Sequence, residues 1–273
     1  KGVGASEAWY LTAMEVEIAQ LEDHPVVGGA LDLYKCFDQI VRPLLYTVLT
    51  IAGLPPQVLR AYIAYQENLL VYNGMSGALG KPHRHPCGIP QGCPLSMIFV
   101  SLFLRAWLCQ MQELKVYPRT LADDVLLFAK GSRALHQFQN AFTLTIQHLH
   151  DLGGRVAPSK SLLFATLLQH RTWLENWVWA GIDQSIHVVQ HFRDLGSQLT
   201  LSNTSSTQNS RDRFHDADLS LDRIDRLPHS RQHKVHFAAA CANNKGLYGC
   251  ESSHVDEQAL KRLSLIHISE PTR

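Results

Sequence analysis

The chain has 273 residues, of which 45% are hydrophobic and 18% charged, enough apolar matter for one or two sizeable cores and too little charge for a disordered segment. A formal net charge of +1 creates no global field for nucleic acid, so any such binding has to rest on local clusters. Cysteines at positions 36, 87, 93, 109, 241 and 250 include no C-x-x-C pair, which argues against a zinc site or disulfide scaffold and suits a reducing compartment.

Gly2, Gly4 and Ser6 precede apolar residues at Ala8, Leu11, Met14, Val16, Ile18 and Leu21, a spacing that predicts a helix. Val26 to Leu31 reads as a buried strand that ends at Asp32. A helix is expected over 39–52, with Asp38 capping its start and Gly53, Pro55 and Pro56 stopping it. A second follows over 57–66. Leu69 to Tyr72, Asn73-Gly74 and the glycines through Gly80 predict a hairpin.

A Gly/Pro-rich loop from Gly88 to Ser96 then opens an apolar run to Leu108. That run is short of the ~20 residues of a membrane span and carries Arg105, so it reads as a core helix. The apolar runs flanking Asp123-Asp124 read as strands, with both acids where the hairpin reverses. Further on, 134–149 predicts an amphipathic helix. Trp173, Trp177 and Trp179 sit beside Leu174 and Val178 in a spacing that favours core packing over base stacking.

The polar stretch Asn203 to Ser210 reads as a connection, and 211–262 as helical. From Arg226 to Lys245 there are four Lys/Arg and three His without an acid. That run, like Lys81 to His85, either tracks phosphates or forms a solvated face. No signal peptide is visible, and the chain opens on Lys1.

Two adjacent carboxylates repel one another, which makes a divalent cation the natural partner of Asp123 and Asp124, although a solvated turn also accounts for an Ala-Asp-Asp triplet taken alone. Asp32, at the end of its own strand, can join them in one sheet. With Gly88-Ile-Pro-Gln-Gly-Cys-Pro-Leu-Ser96 between, the three segments resemble motifs A, B and C of reverse transcriptases, most closely the non-LTR retrotransposon type. Two departures stand out. Pro90 occupies a position where the non-LTR enzymes often carry Arg, and Leu121 replaces the usual aromatic before Ala-Asp-Asp.

The resemblance implies an α+β fold, a palm with the split βαβ sheet followed by a mostly helical thumb, with the fingers largely missing. It divides the chain into the end of the fingers with a lead-in helix at 1–25, a palm at 26–200 and a thumb-like helical segment at 201–262. The implied activity is RNA-templated DNA synthesis on an RNA template, a DNA primer and deoxynucleoside triphosphates, within the nucleus or cytoplasm and with no membrane involved.

Two magnesium ions, or manganese in their place, would be held by Asp32, Asp123 and Asp124 with the carbonyl of Leu33. Phe37 would lie under the incoming ribose. Gln91 and Gly92 would meet the template or nucleotide, with closure of the loop on its own backbone as the plainer role for Gln91. Asp151 to Ser161 resembles motif D and makes Lys160 the acid for the pyrophosphate or a plain counter-charge. Leu195 and Gly196, in a stretch resembling motif E, would form the primer grip, and Leu247-Tyr-Gly-Cys-Glu251 is similar to a segment that follows it.

The same resemblance implies that triphosphate contacts precede the present start, so that residues 1–262 alone incorporate nucleotides weakly. A catalytically inactive remnant that at most binds nucleic acid is the alternative. A two-metal nuclease is another, but it leaves the Gly-Ile-Pro-Gln-Gly loop without a task. Finally, Leu263 to Arg273 reads as the conceptual translation of a transposase-type sequencing adapter and is expected to form no functional element.

Overall fold

Short apolar strands alternating with longer helices build one central sheet, described here from a computed structural model that covers residues 4–90, 92–202, 207–250, 255–258 and 260–261. Gln91 and the adapter-like tail lie outside the described residues. In chain order the elements begin with α1 (Ala5–Leu21), β1 (Val26–Leu31), α2 (Cys36–Gln39), α3 (Arg42–Ile51) and α4 (Pro56–Asn68). A small hairpin, β2 (Gly74–Met75) and β3 (Ala78–Leu79), leads to α5 (Ser96–Glu113). Then come β4 (Tyr117–Leu121), β5 (Asp124–Lys130), α6 (Ala134–Asp151), β6 (Leu162–Ala165), α7 (Leu168–Asn176) and β7 (Val188–Val189). The last elements are β8 (His191–Asp194), β9 (Ser197–Thr200), α8 (Gln208–Asp225), α9 (Arg231–Phe237), a π-helical turn at Ala238–Asn243 and α10 (Asn244–Leu247).

The fold is α+β. The sheet runs β4-β5-β1-β6-β7, and β1 pairs antiparallel with both β5 and β6 while β4 pairs antiparallel with β5. Strands β1 and β4 therefore run parallel with β5 inserted between them, which is the split βαβ arrangement. Val27, Leu31, Leu127 and Leu163 of the sheet share one core with Phe99, Phe103 and Trp107 of α5 and Phe138 and Phe142 of α6. Each fully buried side chain of this size stabilises by about 1.5–3 kcal/mol. The indole of Trp107 donates to Thr145 Oγ1 at 2.8 Å and ties α5 to α6. Trp179 is fully buried against Phe142, ring centroids 4.3 Å apart, in agreement with a packing role.

Two glycines in the central strand look out of place until the neighbours are considered. A Cβ on Gly28 would lie 2.3 Å from Phe164 Cζ and 2.7 Å from Phe128 Cβ, so the aromatics of both flanking strands close over that glycine. Gly28→Val is expected to destabilise the protein by about 3 kcal/mol, because Phe128 Cβ belongs to the strand itself and cannot swing aside. A urea midpoint equal to that of the parent would contradict it.

Three local expectations are corrected. The predicted helix over 39–52 is broken at Ile40–Val41, because Pro43 has no N–H for the carbonyl of Gln39, so α3 starts afresh with proline in its first turn. Asp38 accordingly sits within α2 instead of capping a longer helix. The expected hairpin is present and turns at Ser76-Gly77, both at positive φ (50° and 85°), within the glycine-containing stretch that follows Asn73. Pairing of Val71 with His83 on the flanks centres the turn there. The polar connection is shorter than expected, since α8 already starts at Gln208.

The chain divides into two compact units, Glu22–Val188 and a second that gathers Lys1–Leu21 with Val189–Arg273. In the second unit α1 packs on β9. Its helical core is Phe214, Ala217 and Leu221 of α8 with Ala238 and Ala242. Among the described residues no helix is long and apolar enough to cross a membrane.

Candidate active site

Strand register brings the three acids to one end of the sheet. Leu31 pairs with Val125 at the end of the β1–β5 ladder, and continuing by one residue sets Asp32 opposite Asp124. The β4–β5 hairpin closes with Leu121 paired to Asp124, leaving Ala122 and Asp123 as the two-residue turn. Ala122 holds a left-handed φ of 56°, which costs a non-glycine residue about 1 kcal/mol.

Partial burial, then repulsion from Asp123 and Asp32, raises the pKa of Asp124. The three charges thus feel one another. Among the described residues no three His, Cys, Asp or Glu side chains are already gathered as they would be around a metal ion. Donor chemistry fits a hard divalent cation, since the group is all oxygen and none of the ion pairs among the described residues involves it.

Asp32 is held through its backbone. Its N–H donates to Ser161 Oγ at 3.1 Å, and its carbonyl accepts from the Ala157 N–H at 2.8 Å. Ser161 is buried and follows Lys160, which is exposed in the turn that opens β6. Leu33 forms a β-bridge with Val156 through the hydrogen bonds of its neighbours, Tyr34 N–H to Arg155 and Ala157 N–H to Asp32. Its own carbonyl is therefore turned to the other edge of β1, toward the side of β5. Below Asp123 lies an apolar cavity of about 40 Å³ lined also by Leu33, Cys36 and Phe103. Burial, then the Asp123 charge, pushes the Cys36 thiol up to about 11, so it stays protonated and is no nucleophile at neutral pH.

The Gly88 loop is stapled to the segment after Asp32. The N–H of Gly88 donates to the Ile40 carbonyl and that of Ile89 to the Phe37 carbonyl, each at 2.8 Å. Cys87 Sγ donates to the Asp38 carbonyl at 3.2 Å. Glycine at 88 answers this contact: φ is 87°, and a Cβ would meet the Asp38 backbone at 2.7 Å. Gly92 differs, with nothing within 4 Å of its would-be Cβ, and so leaves open space before the backbone. Phe37 is half-buried and packs against the core.

Sequence reasoning missed Arg42, which is 4% exposed and donates through Nε to the Gly88 carbonyl (3.0 Å) and through Nη1 to that of Gln66 (3.3 Å). A lone arginine amid Val41, Pro43 and Leu44 was the available signal, since arginine in an apolar segment is buried only when its donors are used. It missed Ser161 too, whose hydroxyl resembles that of any loop serine.

Leu195 and Gly196 form the β8–β9 turn at φ 45° and 91°. They belong to the second unit.

The model of the family described as reverse transcriptase (RNA-dependent DNA polymerase) matches residues 9–211. No curated protein matches the chain. Among solved structures, apo telomerase from Candida tropicalis truncated from its C-terminal domain aligns at a TM-score of 0.48 and 13% identity over 70% of this chain. Telomerase from the same organism in complex with the TWJ fragment of telomeric RNA aligns at 0.48 and 10% over 98%. The corresponding Candida albicans complex aligns at 0.45 and 12% over 94%. The chain spans 37%, 46% and 47% of these three proteins, respectively. With the family model covering most of its length, including Asp32, the Gly88 loop and Asp123-Asp124, the chain belongs to the reverse transcriptase (RNA-dependent DNA polymerase) family.

Proposed function

We propose that this chain carries the nucleotidyl-transfer centre of a non-LTR retrotransposon reverse transcriptase and extends a DNA primer along an RNA template. The observation that carries the reading is the β1–β5 register, which sets Asp32 opposite Asp124 with Asp123 in the adjoining turn, in a chain of the matching family. Residues 26–200 would act as the palm, 201–262 as a thumb and 1–25 as its lead-in, working in the nucleus or cytoplasm.

Asp32, Asp123, Asp124 and the Leu33 carbonyl would hold magnesium or manganese, which when bound activates the primer 3′-oxygen and neutralises the leaving pyrophosphate. The remaining work is positioning. Ser161 and Ala157 hold the Asp32 backbone, so its carboxylate starts from a fixed strand end. The stapled Gly88 loop presents the open face of Gly92 to template and nucleotide, and Gln91 would meet one of them. Lys160, exposed beside the Asp32 brace, gives the leaving group a proton or a counter-charge. Leu195 and Gly196 support the primer strand.

An inactive remnant is favoured by one observation, the lack of a converged metal group among the described residues. The deciding experiment incubates the purified chain with a labelled DNA primer on an RNA template, deoxynucleotides and magnesium. Slow incorporation that stops on chelation is expected. Binding without extension would establish the remnant, and degradation without extension a nuclease.

A further inference from the structure

The β8–β9 turn is propped from within, unlike the Ser76-Gly77 turn, where a Cβ on Gly77 would meet nothing within 4 Å. A Cβ on Gly196 would lie 2.6 Å from Tyr248 Cε1 and 3.0 Å from Arg213 Nη2. Arg213, on α8 and 9% exposed, donates through Nη2 to the Gly196 carbonyl at 2.6 Å and through Nη1 to the Lys245 carbonyl at 3.2 Å. Its guanidinium lies over the Tyr248 ring, 4.9 Å from the centroid. Tyr248 in turn donates its hydroxyl to the Leu195 carbonyl at 3.1 Å. Asn209 adds a longer bond to Gly196 at 3.4 Å. Both carbonyls of the turn are thus tied to the helical part of the same unit, and Gly249 lets the chain pass so close that a Cβ there would meet Ser197 Oγ at 2.6 Å.

We infer that Arg213 and Tyr248 are positioning residues that hold the Leu195–Gly196 turn in a single conformation for the primer strand. This rests on the reading of that turn as the primer grip. The physical case is the shape of the guanidinium. One planar fork reaches two carbonyls from separate segments while its face stays on an aromatic ring. A lysine ammonium is a point charge on a flexible stem and cannot do all three. A two-residue turn with two left-handed residues is otherwise free to open at its tip, and fixing it beforehand spares the primer that ordering cost on binding.

Arg213→Lys keeps the charge and most of the buried stem, and Tyr248→Phe keeps the ring and removes only the hydroxyl. In the full chain, hydrogen exchange is read at the Leu195 and Gly196 amides. Fluorescence anisotropy gives the Kd for a DNA primer annealed to an RNA template and for the same RNA unprimed. Both variants are expected to speed exchange at the turn and to raise the primed Kd about tenfold, the cost of one charge-assisted or buried hydrogen bond. The unprimed Kd should hold.

Arg211→Lys, on the same helix but paired with Asp256, serves as control and should change neither. Unchanged exchange at the turn would overturn the brace. Faster exchange with an unchanged primed Kd would leave the brace standing and refute the primer-grip reading. Exchange that rises throughout the unit, with primed and unprimed binding lost together, would reduce both residues to a structural role and overturn the inference.

Discussion

Asp123→Asn is expected to lower magnesium-dependent primer extension by about 10²–10³-fold or more while the melting temperature holds. On the proposed reading the rate falls because Asp123 would help to hold the divalent cation that offsets the negative charge gathering in the transition state, and asparagine would hold it less well. The fold survives because Asp123 is exposed in a two-residue turn, where asparagine is as well accepted as aspartate. Surface changes of this kind lie within about 0.5 kcal/mol. Replacing one of three mutually repelling acids removes repulsion, so a slight gain in stability is the direction to expect. Single-nucleotide incorporation across a magnesium titration, with a thermal melt alongside, makes the measurement. Equal rates for variant and parent would show that the chemistry is elsewhere.

Phe37→Val is expected to improve ribonucleotide incorporation relative to deoxynucleotide incorporation by about 10–200-fold, the range that one change in pocket shape supports. Phe37 sits five residues beyond Asp32 in α2, and its carbonyl takes the Ile89 N–H at 2.8 Å, so its backbone is fixed to the Gly88 loop. On the proposed reading a ring edge there would meet a 2′-hydroxyl with a steric clash and no hydrogen bond in return. The competing outcome follows from its packing against the core. If Phe37 is only a core residue, valine costs stability and both nucleotides decline together. A lowered melting temperature with an unchanged ribo-to-deoxy ratio would remove the gate assignment.

What the sequence determined by itself was the order of elements and the places where carboxylates emerge from apolar strands. Asp32, Asp123 and Asp124 each end or begin a run whose hydrophobicity demands burial, so a strand terminating at an acid could be read without coordinates. The helices over 96–113 and 134–151 were legible from their apolar residues, whereas the helix over 5–21 was placed correctly but buries Trp9, Thr12, Ala13, Val16 and Ala19 and leaves Leu11, Met14, Ile18 and Leu21 exposed. Pro43 was legible as well and was overrun, because apolar periodicity continued across a residue that cannot donate.

The tertiary structure decided whatever depends on a partner distant in the chain. Asn73-Gly74 is the stronger local turn signal, but the Val71–His83 pairing moves the reversal to Ser76-Gly77. Gly28 and Gly88 look alike in sequence, yet one makes room for Phe128 and Phe164 and the other for the backbone of Asp38. Ser161 and Arg213 carry no local mark of their roles, and Arg42 only its isolation in an apolar segment. Each satisfies backbone groups on segments 17 to 129 residues away, and such bonds are specified only once packing has removed water and left those groups with no other partner.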